Sequence, residues 1–116
     1  MAVEPKELVD YAYDILSNSD QEVEWRNAIN RAYYGAFLCA REKSGMSGNR
    51  SKSVHKQVAD YYKNRSSTIY NRLTDMCKMR NYSDYKPRNS VPKRDASACC
   101  KNARGVIQEL SKPIYS

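Results

Sequence analysis

The stretch WRNAINRAYYGAFLCAREK, Trp25 to Lys43, decides the fold. Its apolar side chains recur at spacings of three and four residues, which places them on one face of an α-helix. They are Trp25, Ala28, Ile29, Ala32, Tyr33, Ala36, Phe37 and Ala40. Ser19 and, three residues later, Glu22 have the form of a capping box, so we expect this long helix to begin there and to end near Lys43.

Four other segments show the same helical period. We expect helices at residues 5–18, 54–62, 67–82 and 93–110, with Pro5 in the first turn of the first and Ser53 as the cap of the third. The fourth reaches Tyr82 or a little beyond, because Pro87 disfavours helical geometry in the residue before it. The side chains expected to face inward are Leu8, Tyr11, Ala12, Ile15 and Leu16; Val54, Val58, Ala59 and Tyr62; Ile69, Leu73, Met76 and Cys77; and Ala96, Cys99, Cys100, Ala103, Val106, Ile107 and Leu110.

This pattern predicts an all-α protein, a bundle of four or five helices with no sheet, because no segment shows the alternation of a strand. With 116 residues, the chain has room for one domain, residues 1–116, around a single core. The longest uncharged stretch near its middle, Ala32 to Ala40, is too short to cross a bilayer, which takes about 20 residues. The first residues carry acids where a secretory signal carries bases, so we expect a cytoplasmic protein with no membrane partner.

The four cysteines and the one histidine do not form a metal-binding pattern. Cys39, Cys77, Cys99 and Cys100 contain no Cys-x-x-Cys pair, and His55 is far from them in the chain. Zinc sites use such ligands at short spacings, so we expect no metal and no other cofactor. Neighbouring helical residues point about 100° apart, so Cys99 and Cys100 are expected to be reduced, partly buried thiols.

The net charge of +7 is unevenly distributed along the chain. Residues 1–40 contain 3 basic and 7 acidic side chains, a net charge of −4, whereas residues 41–104 contain 16 basic and 5 acidic ones, a net charge of +11. A strongly basic surface attracts a polyanion such as nucleic acid, or an acidic protein. It can also serve only to keep a protein in solution.

The stretch MCKMRNYSDYKP, Met76 to Pro87, ends the apolar stripe of the fourth helix with a charge. Arg80 lies four residues after Met76, in line with side chains that face the core, and a charge in that position needs a partner or a function. One interpretation is structural, an ion pair with Asp84, four residues on. The other is that the guanidinium is kept for a phosphate group. A polar line on the second helix could support it, consisting of Asn27, Arg31 and Tyr34.

Three segments, in their order and spacing, resemble the HEPN superfamily. They are NRAYYGAFLCAREKSG, then SVHKQVADYY after a basic loop, and finally LTDMCKMRNYSDYKP. The resemblance is to the small prokaryotic branch, which has an Arg-Ala-Tyr-Tyr-Ala-Ala-Phe signature and a later Arg-x-x-Ala-Asp-Tyr segment. It is collinear from Trp25 to Pro87, with compatible helices on either side.

The resemblance implies an all-α bundle that pairs as a homodimer. Many such proteins are metal-independent ribonucleases of toxin–antitoxin or phage-defence systems, often encoded beside a minimal nucleotidyltransferase. Their catalytic motif is an arginine, commonly followed by an asparagine, with a histidine a few residues later. Arg80 and Asn81 match the first two positions, and Tyr85 stands where the histidine is expected. The implied catalytic residues are therefore Arg80, Asn81 and Tyr85, at a cleft between two subunits.

Cleavage of RNA without a metal requires a base for the 2′-hydroxyl proton, an acid for the leaving oxygen and a cation for the phosphorane. Arg80 can supply the cation, and Asn81 can orient it or donate a second hydrogen bond. Tyrosine is a poor base at neutral pH, so Tyr85 would donate a proton or position a water, and His55 is the alternative base. The side chains expected to support RNA or nucleotide binding are Asn27, Arg31, Tyr34, His55 and Asp84.

Two alternatives to a ribonuclease stay open. One is a binding module without catalysis, which docks a nucleotidyltransferase and holds nucleotide or RNA. Relatives paired with nucleotidyltransferases can accept nucleotides on a tyrosine close to the motif, which makes Tyr85 the first candidate for modification and Tyr82 the second. The other is a helical dimer whose basic face contacts an acidic protein.

Overall fold

Five helices make up the part of the chain that the computed structural model describes, residues 4–45, 54–85 and 90–112. They are α1 (Pro5–Asn18), α2 (Glu22–Ser44), α3 (Val54–Lys63), α4 (Ser67–Tyr85) and α5 (Lys93–Leu110). These ranges contain no strand, so the predicted all-α bundle without a sheet is confirmed. Within the same ranges, no helix is both long and apolar enough to cross a membrane.

The long helix α2 lies at the centre of the bundle and contacts all four other helices. Small residues on its buried faces let these neighbours approach closely, and they are Ala28, Ala32, Gly35, Ala36 and Ala40. At Gly35 the fit is tight, because a β-carbon there would lie 2.6 Å from Val9 Cγ2 and 2.9 Å from the Pro5 carbonyl oxygen. Helix α1 therefore packs directly against the backbone of α2.

Helices α4 and α5 meet in a similar way at Gly105. The guanidinium of Arg72, on α4, occupies the place where the side chain of residue 105 would begin, with its Cζ 2.6 Å from the position of a β-carbon. Arg72 Nη1 donates a hydrogen bond to Asn102 Oδ1 at 2.7 Å. The tip of one long side chain, rather than a backbone segment, is therefore what fills this contact.

The predicted core is confirmed in α2, α3, α4 and α5, where every side chain expected to face inward is buried or half-buried. Helix α1 differs at one position. Tyr11 is 51% exposed, whereas Val9 is fully buried. The reason is the notch that Gly35 leaves in the surface of α2, because Val9 fills it. Residues two apart in a helix point about 200° apart, so Tyr11 faces solvent when Val9 faces α2. The inward placement predicted for Tyr11 is therefore wrong.

The capping box predicted at Ser19 and Glu22 is also wrong. Helix α2 begins at Glu22, and Gln21 takes the N-cap position without a side-chain hydrogen bond to the helix. The Ser19 hydroxyl accepts a hydrogen bond from the Gln21 N–H at 3.2 Å instead. Glu22 is engaged elsewhere, because its Oε1 accepts a hydrogen bond from the Val91 N–H at 3.1 Å and its Oε2 pairs with Arg26. The carboxylate thus ties the start of α2 to the segment before α5.

Two predictions about helix boundaries remain, the end of α4 and the cap at the start of α3. Helix α4 continues to Tyr85, a little beyond Tyr82 as expected. Arg26 on α2 donates a hydrogen bond to the Ser83 carbonyl oxygen and so fixes this end of α4 against the central helix. The predicted cap of α3, Ser53, lies outside the described residues.

Candidate functional site

Arg80 lies near the end of α4, on the side that faces α2. Its side chain is only 14% exposed. The Arg80 Cζ atom lies 5.5 Å from the ring centre of Tyr33 and 5.4 Å from that of Tyr34, within the range of cation–π attraction. Nη1 donates a hydrogen bond to the Tyr34 hydroxyl at 2.7 Å, and Nη2 donates one to Asn81 Oδ1 at 3.0 Å. Two aromatic rings and an amide therefore hold the guanidinium in one orientation.

The carboxylate predicted to pair with Arg80 lies at the long limit of an ion pair and forms no hydrogen bond to it. Asp84 Oδ2 lies 4.0 Å from Arg80 Nε, which is too long for a hydrogen bond. Nε is buried and, among the described residues, has no hydrogen-bond partner. Asp84 instead accepts a long hydrogen bond, 3.5 Å, from Asn30 on α2. The groups that hydrogen-bond to the guanidinium are neutral, and its ion pair with Asp84 is long. A phosphate that forms direct hydrogen bonds can therefore compete with Asp84 for this charge.

His55, the second residue of α3, lies beside this arginine. Its ring stacks on Phe37 with 4.3 Å between ring centres and meets the edge of Tyr34 at 5.9 Å. Its Nδ1 is 2.6 Å from the hydroxyl oxygen of Tyr33. Burial lowers the pKa of His55, and the positive charge of Arg80 lowers it further. The imidazole is therefore neutral at pH 7.

Tyr33 contacts both Arg80 and His55, since its ring centre lies 5.5 Å from the Arg80 Cζ atom and 5.5 Å from the centre of the His55 ring. Its side chain is 2% exposed, and burial raises the pKa of its phenol, so the hydroxyl stays protonated. A protonated phenol can still accept a hydrogen bond. With the imidazole proton on Nδ1, His55 donates to Tyr33 and keeps a basic lone pair on Nε2. In this tautomer Tyr33 orients His55 as a base.

A groove of about 270 Å³ opens between α3 and α4 beside these residues. Buried side chains of Tyr33, Phe37 and Leu73 form its floor. His55 and Asn81 both line it, and Asn81 also accepts a hydrogen bond from the Arg80 guanidinium. A ligand that enters the groove therefore reaches the imidazole and the neighbourhood of the arginine together.

The structure brings some of the predicted site residues together and leaves others apart. Those that form one cluster are Tyr34, His55, Arg80, Asn81 and Asp84. Asn27 is half-buried and Arg31 is exposed, and within the described ranges neither forms a hydrogen bond to that cluster. Asn30, one residue before Arg31, faces α4 instead, because adjacent residues of a helix point about 100° apart.

The two tyrosines proposed for modification lie at the end of α4. Tyr82 is 38% exposed, and its hydroxyl is 3.5 Å from the Ser90 carbonyl oxygen. Tyr85 is the last residue of the helix, and its side chain lies outside the described residues. Its predicted catalytic role therefore stays a prediction.

Sequence reasoning missed the hydroxyl of Tyr33 and the polar rims of the groove. Tyr33 belongs to the apolar stripe of α2, and nothing in that pattern indicates a histidine partner 22 residues further on. The rims leave a signal in the sequence. Lys56 and Asp60 are four residues apart on α3, and Thr74 and Lys78 are four residues apart on α4, so each pair shares one helix face.

Comparison of the chain with family models, with curated proteins and with solved structures found no match. Over the described ranges, no three side chains of the metal-binding types come together. The function therefore has to be inferred from the chemistry of the Arg80 and His55 site.

Proposed function

We propose that this protein is an HEPN-like ribonuclease that cleaves RNA without a metal ion, a cytoplasmic toxin or phage-defence component that acts as a homodimer. One observation carries the proposal. The Arg80 guanidinium and the neutral His55 imidazole both contact the rings of Tyr33 and Tyr34. His55 lines an open groove together with Asn81, whose amide binds Arg80. A fixed cation and an adjacent base are two of the three groups that transfer of an RNA phosphate requires. The sequence resemblance to the HEPN superfamily supports the same activity.

In the proposed reaction, Arg80 and Asn81 bind the scissile phosphate. His55 Nε2 takes the proton of the 2′-hydroxyl, and the freed oxygen attacks the phosphorus. The bond to the 5′ oxygen breaks, a 2′,3′-cyclic phosphate forms, and the departing 5′ oxygen takes a proton from solvent water. Arg80 stabilises the charge that develops on the phosphorane, where a fixed donor contributes most.

In this proposal, His55 takes the place of the histidine that the HEPN motif has where this chain has Tyr85. The motif places its histidine a few residues after the arginine, on the same segment. Here the imidazole comes from α3 and meets the Arg80 neighbourhood through Tyr33 and Tyr34. We therefore assign the base to His55 and the phosphate contact to Arg80.

The homodimer is part of the proposal because the phosphate-binding end of α4 reaches the surface. Asn81 and Tyr82 are exposed, and both lie beside Arg80 in the sequence. A second copy that packs on this end would bring a second guanidinium to the same RNA strand. One chain has a mass of 13.4 kDa, and sedimentation of the purified protein should give twice that mass.

The decisive experiment measures cleavage of a mixed single-stranded RNA by the purified protein in the presence of EDTA. Wild-type protein should release fragments with 2′,3′-cyclic ends. The variants Arg80→Ala and His55→Ala should each lose about 100-fold or more of the rate, since each removes a group that acts in the transition state. Expression of the wild-type protein should inhibit growth, and expression of either variant should not.

The matched control is Arg94→Ala, which removes an exposed arginine from the start of α5 and lowers the net charge by the same amount. It should keep the wild-type rate. Circular dichroism and sedimentation show whether the variants remain folded and dimeric. Full cleavage by folded Arg80→Ala protein would overturn the proposal.

A second function has one observation in its favour, the 38% exposure of Tyr82 at the end of α4. A non-catalytic module partnered with a minimal nucleotidyltransferase would present such a tyrosine for nucleotide transfer. Intact-mass measurement after co-expression with a nucleotidyltransferase from the same gene neighbourhood tests it. A mass increase that Tyr82→Phe abolishes, in a protein that does not cleave RNA, would favour this module over the ribonuclease.

A further inference from the structure

The groove between α3 and α4 is lined by aromatic side chains that could stack on a flat ring. Four of its lining residues carry rings: Tyr33, Phe37, His55 and Tyr70. Its volume of about 270 Å³ is slightly smaller than that of typical ligand pockets, which span roughly 300–1,000 Å³. Stacking on aromatic side chains is how proteins bind unpaired nucleobases. The groove therefore has the size and the surface for a single nucleobase.

The rims of the groove are polar on both sides. Helix α3 contributes Lys56 and Asp60, and helix α4 contributes Thr74, Lys78 and Asn81. The α4 residues follow at intervals of four and three, so they form one line along the groove that ends next to Arg80. A nucleic acid strand whose phosphate is bound at Arg80 would thus find its neighbouring nucleotide at this groove.

The charges on the two rims are suited to a nucleotide. Lys78 is exposed, and no acid among the described residues forms an ion pair with it, so its ammonium can meet a phosphate. Asp60 on the opposite rim is also exposed and, in the same ranges, has no basic partner. A carboxylate accepts hydrogen bonds at two oxygens and donates none, so Asp60 is complementary to a base that offers two adjacent donors.

We infer that this groove is a nucleobase subsite that prefers guanine. Guanine alone among the four RNA bases presents two neighbouring donors, N1–H and the 2-amino group, which match the two oxygens of Asp60. Adenine and cytosine present an amino group next to an acceptor nitrogen, and uracil presents one N–H between two carbonyls. The inference rests on the proposed RNA-directed function and gives that site a preference for cleavage next to guanosine.

The single histidine of the chain makes the test direct, because the ring C–H signals of His55 report on the groove without assignment of the whole spectrum. The protein is titrated with GMP, AMP, CMP, UMP and ribose 5-phosphate. GMP should shift the His55 signals and bind roughly tenfold more tightly than the other nucleotides, as expected for a bidentate contact to a base edge. Ribose 5-phosphate should bind more weakly than any of them.

Asp60→Asn should remove the preference for GMP, because the amide replaces one acceptor by a donor. The matched control is Asp75→Asn, which removes an exposed carboxylate from α4 outside the groove and should leave the preference unchanged. Equal affinity for the four nucleotides, an unchanged preference in Asp60→Asn, or His55 signals that do not move would each overturn the inference.

These outcomes are separable from those of the cleavage experiment. Selective GMP binding by a protein that never cleaves RNA would leave the subsite in place and overturn the ribonuclease. Cleavage at all four nucleotides together with equal nucleotide affinities would leave the ribonuclease in place and overturn the subsite.

Discussion

Replacement of Gly35 by alanine tests the packing of α1 on α2. The added β-carbon would lie 2.6 Å from Val9 Cγ2, 2.9 Å from the Pro5 carbonyl oxygen and 3.1 Å from Leu8 Cβ. Ordinary contacts of this kind are 3.4–4 Å long. The first turns of α1 would therefore have to move away from α2 by about 1 Å, because a backbone carbonyl cannot swing aside as a side chain can.

The expected cost follows from two opposing terms. Overpacking of a buried contact costs about 1–3 kcal/mol, and two of the three contacts here involve buried or backbone atoms, so we take the upper end. Alanine gains about 1 kcal/mol over glycine in a helix. The free energy of unfolding should thus fall by about 2 kcal/mol, which for a chain of this size lowers the Tm by roughly 8 °C.

The control is Gly105→Ala, which has the same gain in helix propensity but a different obstacle. There the neighbouring atoms belong to the tip of Arg72, which can rotate away at the cost of its hydrogen bond to Asn102, about 1 kcal/mol. The two terms nearly cancel, so its stability should stay close to that of the wild type. Urea denaturation of both variants decides the matter, and a Gly35→Ala protein as stable as Gly105→Ala would refute the packing argument.

Four further predictions concern ionisable and polar groups. Burial raises the pKa of the Cys99 thiol to about 12 and that of Cys100 to about 11, so both should react with a thiol reagent at pH 8 only after unfolding. The Glu22 pKa is lowered, first by its hydrogen bond from a backbone N–H before α5, so Glu22→Gln should reduce stability at pH 7, and the difference should vanish as the pH falls below the folded-state pKa. Tyr62→Phe removes a buried 2.7 Å hydrogen bond to a backbone carbonyl of α2 and should cost about 1 kcal/mol in urea denaturation. Because the His55 pKa is lowered, the acid limb of RNA cleavage should have its midpoint below the ordinary value of about 6.5, and a midpoint above it would contradict the role of this residue as the base.

The helices and most of the core could be predicted from the sequence, because apolar side chains recur at the helical period along each helix face that is buried. That period indicates which residues are buried but not which helix they meet. Tyr11 and Val9 both fit an inward face, and only the notch at Gly35 on another helix decides between them. Local motifs fail for a related reason. Glu22 could cap its own helix, yet it binds the Val91 N–H, a group 69 residues away.

The candidate site could be predicted only in part. Arg80 stands out in the sequence because a charge interrupts an apolar stripe, and Tyr34 shares a polar line with its neighbours on α2. Nothing in the local pattern links either of them to His55, since α3 has to fold back over α2 before the two rings meet. Tyr33 shows what the pattern cannot predict. Its ring packs in the core, as its place in the apolar stripe indicates, whereas its hydroxyl contacts His55 in the site.

The position of the Arg80 side chain between two tyrosine rings has a thermodynamic consequence. A free arginine loses about 2 kcal/mol of rotamer entropy when a ligand immobilises it. Here much of that loss has already occurred during folding, because the rings and the Asn81 amide hold the guanidinium before any anion arrives. Binding energy from a phosphate would then go into the transition state rather than into ordering the protein, and a lysine at this position would keep the charge but lose that advantage.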